Sequence, residues 1–438
     1  MDSSIWRLGY RIYDKIFGGR VFRQLDEVIH LYHSPDKLDG VMEARLKRLL
    51  RHATENVKFY SYLKPNTELA DFPIINKSLI QESYGDFVMS GLSSADKIEA
   101  YTSGTHARPL VIISNREKIA RKRAEAIFFN GMAGYELGMR FVYLRATPLN
   151  KIGARPEIRK LVQNEVIADV TDYSEHELMR VNQRLCRGDI KFIVAWPSVL
   201  KLLAEDALSR GVCCSAIKGI ITTGEALLKP DKELIRCAFN CPVLNRYGCT
   251  EVGIVAFEEP GSDVLLVNRA TVLVEVLRFD TNEPVKPGEA GRIIITGLYS
   301  EAMPFIRYDT GDVGVVNEMV GPYVKSLSSV DGRYMEKFID TQGRYVIPMM
   351  LINCLPDSER TKLRQYQFVQ EGAGMYALNA VPRDERIAKQ LIVANMKNVL
   401  GEDAQIRINY VSQIPNLPSG KYGIMINTSN LNLGSSID

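Results

Sequence analysis

The chain has 438 residues, and its 55 basic and 52 acidic side chains leave a formal charge of +3. This balance argues against a nucleic-acid or polyanion binder, while the length allows two or more domains around a large core. No apolar run approaches the roughly 20 residues that cross a bilayer, and the N-terminus lacks a signal-peptide pattern. Seven cysteines, odd in number and irregularly spaced, favour a reducing compartment over a disulfide framework, so the predicted location is cytoplasmic.

Two apolar stripes near the N-terminus predict helices. Ile5, Ile12 and Ile16 recur at helical spacing, and basic residues occupy other faces of the helix. A helix of this kind can associate weakly with a membrane surface, but packing against its own domain is the simpler interpretation and the one we expect. A second stripe between Met42 and Ala53 predicts a helix whose basic residues face solvent.

Helical and strand patterns alternate beyond residue 110. Residues 116–130 predict a helix. Short apolar runs predict buried strands at residues 141–144, 192–195 and 217–222. This alternation is typical of α/β architecture with parallel strands. Residues 264–296 instead predict an antiparallel β region, because their apolar runs are separated by a Pro/Gly turn.

The C-terminal part predicts a small α+β unit, with strands near 367–369 and 406–408 and a helix over about 384–399. A boundary is expected near Asp331-Gly332-Arg333, which divides the chain into domains 1–332 and 333–438. The predicted fold class is therefore α/β. A large N-terminal domain would contain mixed sheets, flanking helices and a β subdomain, and a small α+β lid would follow.

A loop rich in hydroxyl groups precedes the alternating region. Residues 102–109 read Thr-Ser-Gly-Thr-His-Ala-Arg-Pro. Gly104 permits the backbone to approach a ligand closely, and Thr102, Ser103 and Thr105 offer hydroxyl donors. A phosphate-binding loop needs these features, although most Ser/Thr/Gly clusters are plain loops.

Three further polar clusters interrupt the hydrophobic pattern, and each alone is typical of an ordinary loop. Residues 222–225 follow a predicted strand, at the end where open α/β sheets bind ligands. Residues 245–251 are predicted to follow a short apolar strand directly, and they combine an aromatic ring, a glycine, a hydroxyl group and a carboxylate. Residues 307–312 place two carboxylates around a predicted tight turn. The templates for P-loops, dinucleotide-binding loops and zinc proteases all fail.

Taken in order, the clusters resemble the motifs of the adenylate-forming superfamily of acyl-coenzyme A synthetases, amide-synthetase adenylation domains and luciferases. Residues 247–251 are similar to its Tyr-Gly-x-Thr-Glu motif, and residues 303–312 to its Pro-x-x-Arg-Tyr-x-x-Gly-Asp segment. Residues 331–333 resemble the hinge, and residues 418–421 the C-terminal lysine motif. Within the superfamily, the chain looks most like phenylacetate–coenzyme A ligases and capsular-polysaccharide proteins of the CapK type.

The resemblance implies ATP and Mg²⁺ as cofactors and coenzyme A as a co-substrate. Glu251 is implied as the Mg²⁺ ligand, and Lys421, Glu251 and Thr250 as the catalytic residues. Lys421 would bridge the substrate carboxylate and the α-phosphate in the transition state. The implied ATP/AMP-binding residues are Thr102, Ser103, Gly104, Thr105, Gly224, Glu225, Tyr247, Gly248, Asp312 and Arg333.

The implied reaction converts a small carboxylic acid and ATP to an acyl adenylate and pyrophosphate, and then transfers the acyl group to coenzyme A. The CapK-type resemblance points to surface-polysaccharide biosynthesis. Two alternatives stay open. The acyl group could pass to an amine or hydroxyl group of a sugar. Alternatively, the chain could be a degenerate nucleotide-binding module, since Ala107 replaces the usual glycine and the residues after Arg333 depart from the family pattern.

Overall fold

The computed structural model describes residues 3–94, 96–102, 110–145, 164–169, 175–212, 214–279, 281–333, 338–346, 348–383, 385–415 and 423–428. The chain forms two compact units. The larger unit comprises Met1–Thr310 and Gly314–Val330, and the smaller comprises Gly311–Val313 and Asp331–Asp438. The predicted division into 1–332 and 333–438 stays a prediction.

The larger unit combines helices with a long sheet, and side-chain caps mark the start of two of the described helices, Lys77–Glu82 and Arg116–Met132. Its described helices are α1 (Ser3–Ile16), α2 (Arg20–Tyr32), α3 (Pro35–Asn56), α4 (Lys77–Glu82), α5 (Arg116–Met132), α6 (Glu175–Cys186), α7 (Pro197–Ser209) and α8 (Lys229–Phe239). The predicted helix at 116–130 is confirmed by α5, whose first turn is capped by the Asn115 side chain. Proline in the first turn begins α3, α7 and α8.

The strands of the larger unit are β1 (Ile98–Tyr101), β2 (Val111–Ser114), β3 (Phe141–Arg145), β4 (Glu165–Asp169), β5 (Phe192–Ala195), β6 (Gly219–Thr223), β7 (Val243–Cys249), β8 (Gly253–Glu258), β9 (Leu265–Val267), β10 (Val272–Leu277), β11 (Ala290–Gly297), β12 (Tyr308–Val320) and β13 (Tyr323–Arg333). β1 and β2 form an antiparallel pair. The others form one sheet in the order β10-β11-β12-β13-β9-β8-β7-β6-β5-β3-β4.

One half of this sheet is parallel and the other half antiparallel, as predicted. The pairs β4–β3, β3–β5, β5–β6 and β6–β7 are parallel. The pairs β7–β8, β8–β9, β9–β13 and β10–β11 are antiparallel. The two halves also pack into separate hydrophobic cores, one around α6, α7 and α8 and one around α3 and β10 to β12. The α/β prediction is therefore confirmed.

The prediction of a tight turn at residues 307–312 is wrong, because β12 begins at Tyr308 and continues through this segment. Arg307 has a left-handed backbone with φ 48°, so the change of direction falls just before the strand. Tyr308 then pairs with Ile75 in a parallel bridge. Pairing with neighbouring chain segments thus overrides the turn chemistry of the Asp-Thr-Gly-Asp sequence.

Helix α1 packs on its own domain as expected, but through its aromatic side rather than its aliphatic stripe. Tyr10 is buried in a cluster with Val21 and Ala120. The Asp14 carboxylate accepts the backbone N–H groups of Val21 and Phe22 at 3.1 Å each, which fixes α1 against the start of α2. The stripe of Ile5, Leu8, Ile12 and Ile16 is left exposed. No described helix is both long enough and apolar enough to span a bilayer.

The smaller unit has its own sheet, as predicted for an α+β domain. Its elements are β14 (Phe338–Ile339), β15 (Tyr345–Val346), α9 (Pro348–Asn353), α10 (Asp357–Arg360), β16 (Leu363–Gly372), β17 (Met375–Pro382), α11 (Lys389–Leu400), β18 (Gln405–Tyr410) and β19 (Met425–Asn427). The main sheet has the order β18-β17-β16-β19. Helix α11 begins later than predicted from residue 384, because the Glu359 carboxylate accepts the N–H of Ala388 just before the first turn.

The structure contains a disulfide that the cysteine count did not predict. It joins Cys186, at the end of α6, to Cys214, ahead of β6. The fold brings these positions together although they are 28 residues apart in sequence, and irregular spacing alone could not indicate this pair. Burial raises the pKa of Cys241 to about 12 and that of Cys354 to about 11, so both thiols are protonated at neutral pH.

Candidate functional site

Two of the polar clusters predicted from sequence, at residues 222–225 and 245–251, lie beside each other at one edge of the parallel half of the sheet. In the register of β5, β6 and β7, Ala195 lies beside Thr222, and Thr222 lies beside Asn245. These strands run in the same direction, so their carboxyl ends open on a common crevice, where α/β sheets bind ligands. Two residues beyond Thr222 and Asn245, the chain reaches Gly224 and Tyr247, respectively.

Hydrogen bonds connect these strand ends to each other. Thr222 Oγ1 lies 3.0 Å from Asn245 Oδ1. The Glu225 carboxylate accepts the N–H of Ser198 at 3.1 Å, at the start of α7, where backbone N–H groups lack partners within the helix. Gly224 has φ 85°, a conformation that favours glycine, and it directs the chain from β6 toward this helix start.

The segment from Asn245 to Cys249 lies within strand β7, and not after a short strand as predicted. The pairing of β7 with β8 shifts between Tyr247 and Gly248, which marks a bulge beside the site. A Cβ atom on Gly248 would lie 2.7 Å from the carbonyl oxygen of Gly253. A glycine is therefore required where the chain turns from β7 into β8.

The carboxylate of Glu251 is buried and held by a tyrosine. Glu251 is 7% exposed, and the Tyr308 hydroxyl group donates a hydrogen bond to its Oε1 atom at 3.0 Å. Tyr308 is 3% exposed, and its ring meets the ring of Phe305 edge-on at 5.3 Å. The motif around Glu251 and the motif around Tyr308, which are far apart in sequence, thus lie together in the fold.

Arg307 anchors the chain that leads into Tyr308. Its guanidinium donates to both carboxylate oxygens of Glu275, at 3.2 and 3.0 Å, and to the carbonyl oxygens of Ala70 and Phe72, at 2.8 and 3.2 Å. The side chain is only 11% exposed. A bidentate guanidinium–carboxylate pair gives a fixed geometry as well as charge compensation. Arg307 therefore positions the start of β12.

Two lysines of helix α5 lie beside the segment that contains Glu251. Lys122 Nζ donates to the carbonyl oxygen of Thr250 at 2.6 Å, and Lys118 Nζ lies 5.2 Å from the centre of the Phe305 ring. Burial and then the neighbouring charge of Lys122 hold the pKa of Lys118 well below its usual value, while Cys249 and Glu251 act in the opposite direction. Burial also lowers the pKa of Lys122.

The base of the predicted phosphate loop is closed by two hydrogen bonds. The N–H of Thr102 donates to the carbonyl oxygen of Leu110, and the N–H of Leu110 donates to Thr102 Oγ1, both at 3.0 Å. These bonds extend the β1–β2 hairpin by one step. The other predicted loop residues, Ser103, Gly104 and Thr105, lie outside the described residues, as do His106 and Ala107.

The remaining predicted site residues belong to the smaller unit. Asp312 is a half-buried residue of β12, four positions along the strand from Tyr308. Arg333 is the last residue of β13, and its side chain lies outside the described part of the chain. Lys421 also lies outside the described residues. The roles of these three residues stay predictions.

The described side chains fit a magnesium-bound nucleotide. Mg²⁺ in such complexes keeps phosphate oxygens and water as most of its ligands, so the protein needs to supply only one or two carboxylates. Glu251 is a carboxylate of this kind, and among the described residues there is no cluster of three acidic, histidine or cysteine side chains that would hold a metal alone. Lys118 Nζ is buried without a hydrogen-bond partner among the described residues, which is consistent with an anionic ligand nearby.

Sequence reasoning missed Lys118, Lys122 and the contact of Tyr308 with Glu251. Lysines spaced four residues apart on a helix are typical of a solvated face, so their burial is visible only in the fold. Tyr308 was part of a recognised motif, but no spacing rule connects it to Glu251. The sequence indicated this contact only indirectly, because both motifs were expected at one nucleotide site.

Comparison with protein families finds two matches that follow each other along the chain. Residues 100–300 match the family described as AMP-binding enzyme. Residues 338–428 match the CapK C-terminal domain. The first match contains the edge of the sheet described above, and the second falls in the smaller unit.

The chain is also similar to individual proteins over most of its length. It is 20% identical over 436 residues to protein CapK of Staphylococcus aureus, covering 93% of this chain and 95% of that protein. It is 27% identical over 310 residues to phenylacetate–coenzyme A ligase of Thermus thermophilus, covering 64% of this chain and 65% of that protein.

A solved structure with the same fold is 2-hydroxyisobutyryl-CoA ligase in a postadenylation state in complex with 2-HIB-AMP. The TM-score is 0.69 at 17% identity, with 92% of this chain and 93% of that chain covered. At this identity the likeness concerns the fold alone. The family matches and the relatives indicate an adenylate-forming ligase similar to CapK and the phenylacetate–coenzyme A ligases.

Proposed function

We propose that the protein uses ATP to convert a small carboxylic acid to its acyl adenylate, with release of pyrophosphate, and then transfers the acyl group to coenzyme A. The observation that carries this proposal is the hydrogen bond of Tyr308 to Glu251, which joins the start of β12 to the turn that follows β7. Adenylation brings two anions together, so a site that orients them and offsets their charge accelerates the reaction.

In the first step, a carboxylate oxygen of the substrate attacks the α-phosphorus of ATP, and the bond to the pyrophosphate leaving group breaks. The Tyr247 ring would stack on adenine, and Gly224 and Glu225 would line the purine pocket. Thr250 would lie beside the α-phosphate. Glu251 would hold Mg²⁺, which offsets the charge of the phosphates when bound. Tyr308 supports this role, because its hydrogen bond restricts the rotation of the Glu251 carboxylate.

The proposed phosphate contacts come from the loop after Thr102. The amides and hydroxyl groups of Ser103, Gly104 and Thr105 would bind the β- and γ-phosphates, and the closed base of the hairpin supports a fixed loop entrance. Asp312 would accept the ribose hydroxyl groups, and Arg333 would reach the ribose side.

In the second step, the thiolate of coenzyme A attacks the acyl carbonyl carbon, and AMP leaves with the bridging oxygen. Lys421 acts in the first step only, where its ammonium group would bridge the substrate carboxylate and the α-phosphate. We place this lysine on a mobile C-terminal lid domain of residues 333–438. Exclusion of water by such a domain would protect the hydrolysable acyl adenylate.

A second candidate acceptor is an amine or hydroxyl group of a sugar. The match of residues 338–428 to the CapK C-terminal domain favours it, as does the similarity to CapK over 93% of the chain. The same similarity supports a role in surface-polysaccharide biosynthesis. The proposed location is the cytoplasm, where ATP and coenzyme A are available.

The test is a pyrophosphate-release screen with ATP and Mg²⁺ across aromatic, aliphatic, amino and sugar acids, with and without coenzyme A. We expect release with one class of acid, and conversion of that acid to its thioester when coenzyme A is present. Glu251→Gln should abolish release, whereas Glu318→Gln, at an exposed carboxylate of β12, should not. Release without thioester formation would favour the sugar acceptor, and no ATP binding at all would refute adenylation.

A further inference from the structure

The first helix of the chain presents an aliphatic face to solvent. Ile5, Leu8, Ile12 and Ile16 follow each other at spacings of three and four residues, so they form one stripe along α1. Their exposed fractions are 64%, 60%, 52% and 73%. Beyond this helix and the adjoining Phe17, the exposed large hydrophobic residues among those described fall one to each element or loop, which is normal for a globular protein. A continuous exposed stripe instead marks an interaction surface.

This stripe is held outward by the packing of the opposite face. Tyr10 and Tyr13 pack toward α2 and α5. The Asp14 carboxylate binds two backbone N–H groups at the start of α2, and Arg7 Nε donates to the carbonyl oxygen of Leu137 at 3.3 Å. Rotation of α1 to bury the stripe would break all these contacts. The aliphatic face is therefore a fixed feature of the folded unit.

The charges around the stripe are basic. On a helical wheel, Arg11 and Lys15 lie along one border of the stripe, and both side chains are exposed. Asp14 is the only acidic residue of α1, and it is buried. An exposed aliphatic face bordered by basic side chains is the pattern of helices that lie in the interface of an anionic bilayer.

We propose that α1 docks the protein onto an anionic lipid surface, with the aliphatic stripe in the headgroup region and Arg11 and Lys15 beside lipid phosphates. Charge complementarity favours lipid over a second copy of this chain, because two copies of α1 face to face would bring their basic borders together. The helix would lie along the membrane plane, since it is not a membrane-spanning helix.

Flotation of the full-length protein with lipid vesicles tests this proposal. We expect binding to vesicles that contain phosphatidylglycerol, much weaker binding to pure phosphatidylcholine, and release by salt. Leu8→Ser with Ile12→Ser should weaken binding by about tenfold or more, because aliphatic area is lost from the interface. Arg11→Glu with Lys15→Glu should do the same by about tenfold or more on anionic vesicles.

Two double variants serve as matched controls. Leu208→Ser with Leu391→Ser removes exposed leucines from α7 and α11, and Lys47→Glu with Arg48→Glu reverses exposed charges on α3. Both should bind vesicles like the wild type. Equal binding by the α1 variants and the wild type would overturn the proposal. So would a lipid-free dimer that becomes a monomer in the Leu8→Ser, Ile12→Ser variant, because a second copy would then be the occupant.

Discussion

Removal of the Arg307 side chain is expected to destabilise the larger unit strongly. In Arg307→Met, Glu275 keeps a largely buried charge without its partner, and the carbonyl oxygens of Ala70 and Phe72 lose their donor. Breaking a buried ion pair by removing one partner costs ~3 to 5 kcal/mol. For a unit of this size, we expect the melting temperature to fall by roughly 5 to 10 °C.

Calorimetric melting of a double-mutant cycle measures this effect. Arg307→Met and Glu275→Met should each destabilise, whereas the double variant should recover part of the loss, because no unpaired charge stays buried. Arg278→Ala is the control, since this arginine is half exposed in its ion pairs and surface pairs contribute little. An Arg307→Met protein that melts like the wild type, or a double variant with simply additive losses, would refute the reasoning.

Three further predictions concern the site. Lys421→Ala should nearly abolish carboxylate-dependent pyrophosphate exchange while calorimetry still detects ATP binding, and retained exchange would remove Lys421 from the mechanism. Tyr308→Phe should lower kcat/KM for adenylation about 10- to 100-fold, since a hydrogen bond to a charged group contributes about 1.5 to 3 kcal/mol. Tyr62→Phe, at an exposed tyrosine, is the control. An unchanged kcat/KM in Tyr308→Phe would contradict the role of Tyr308. Burial lowers the pKa of Lys118, so the unfolded chain binds more protons than the folded one between that lowered pKa and 10.5, and stability rises with pH there. Lys118→Met should flatten this rise when urea unfolding is followed as the pH increases toward 10.5, and an unchanged slope would contradict it.

Local patterns predicted most of the fold and the edge of the sheet that carries the site. Apolar runs alternating with helices indicated the parallel strands β3, β5 and β6, and β6 differs from its predicted range only at the ends. Because parallel strands place their carboxyl ends together, the clusters at residues 222–225 and 245–251 are neighbours in the fold. The bond between Thr222 and Asn245 joins them.

The errors arise where contacts between distant segments decide the outcome. The sequence of residues 308–312 is rich in turn residues, but pairing of Tyr308 with Ile75 extends it as a strand. The aliphatic stripe of α1 was expected inward, but the aromatic face with Tyr10 supplies the packing surface. Lys118 has the pattern of a solvated residue, but its side chain is buried in the fold and lies over the Phe305 ring.

The fate of the carboxylate oxygen tests the central claim most directly. The acid identified by the pyrophosphate screen would be labelled with heavy oxygen in its carboxyl group, incubated with ATP and coenzyme A, and the nucleotide product analysed by mass spectrometry. If the carboxylate attacks the α-phosphorus, AMP must carry one heavy oxygen. Unlabelled AMP, or ADP as the product, would contradict an acyl adenylate at the Glu251 site.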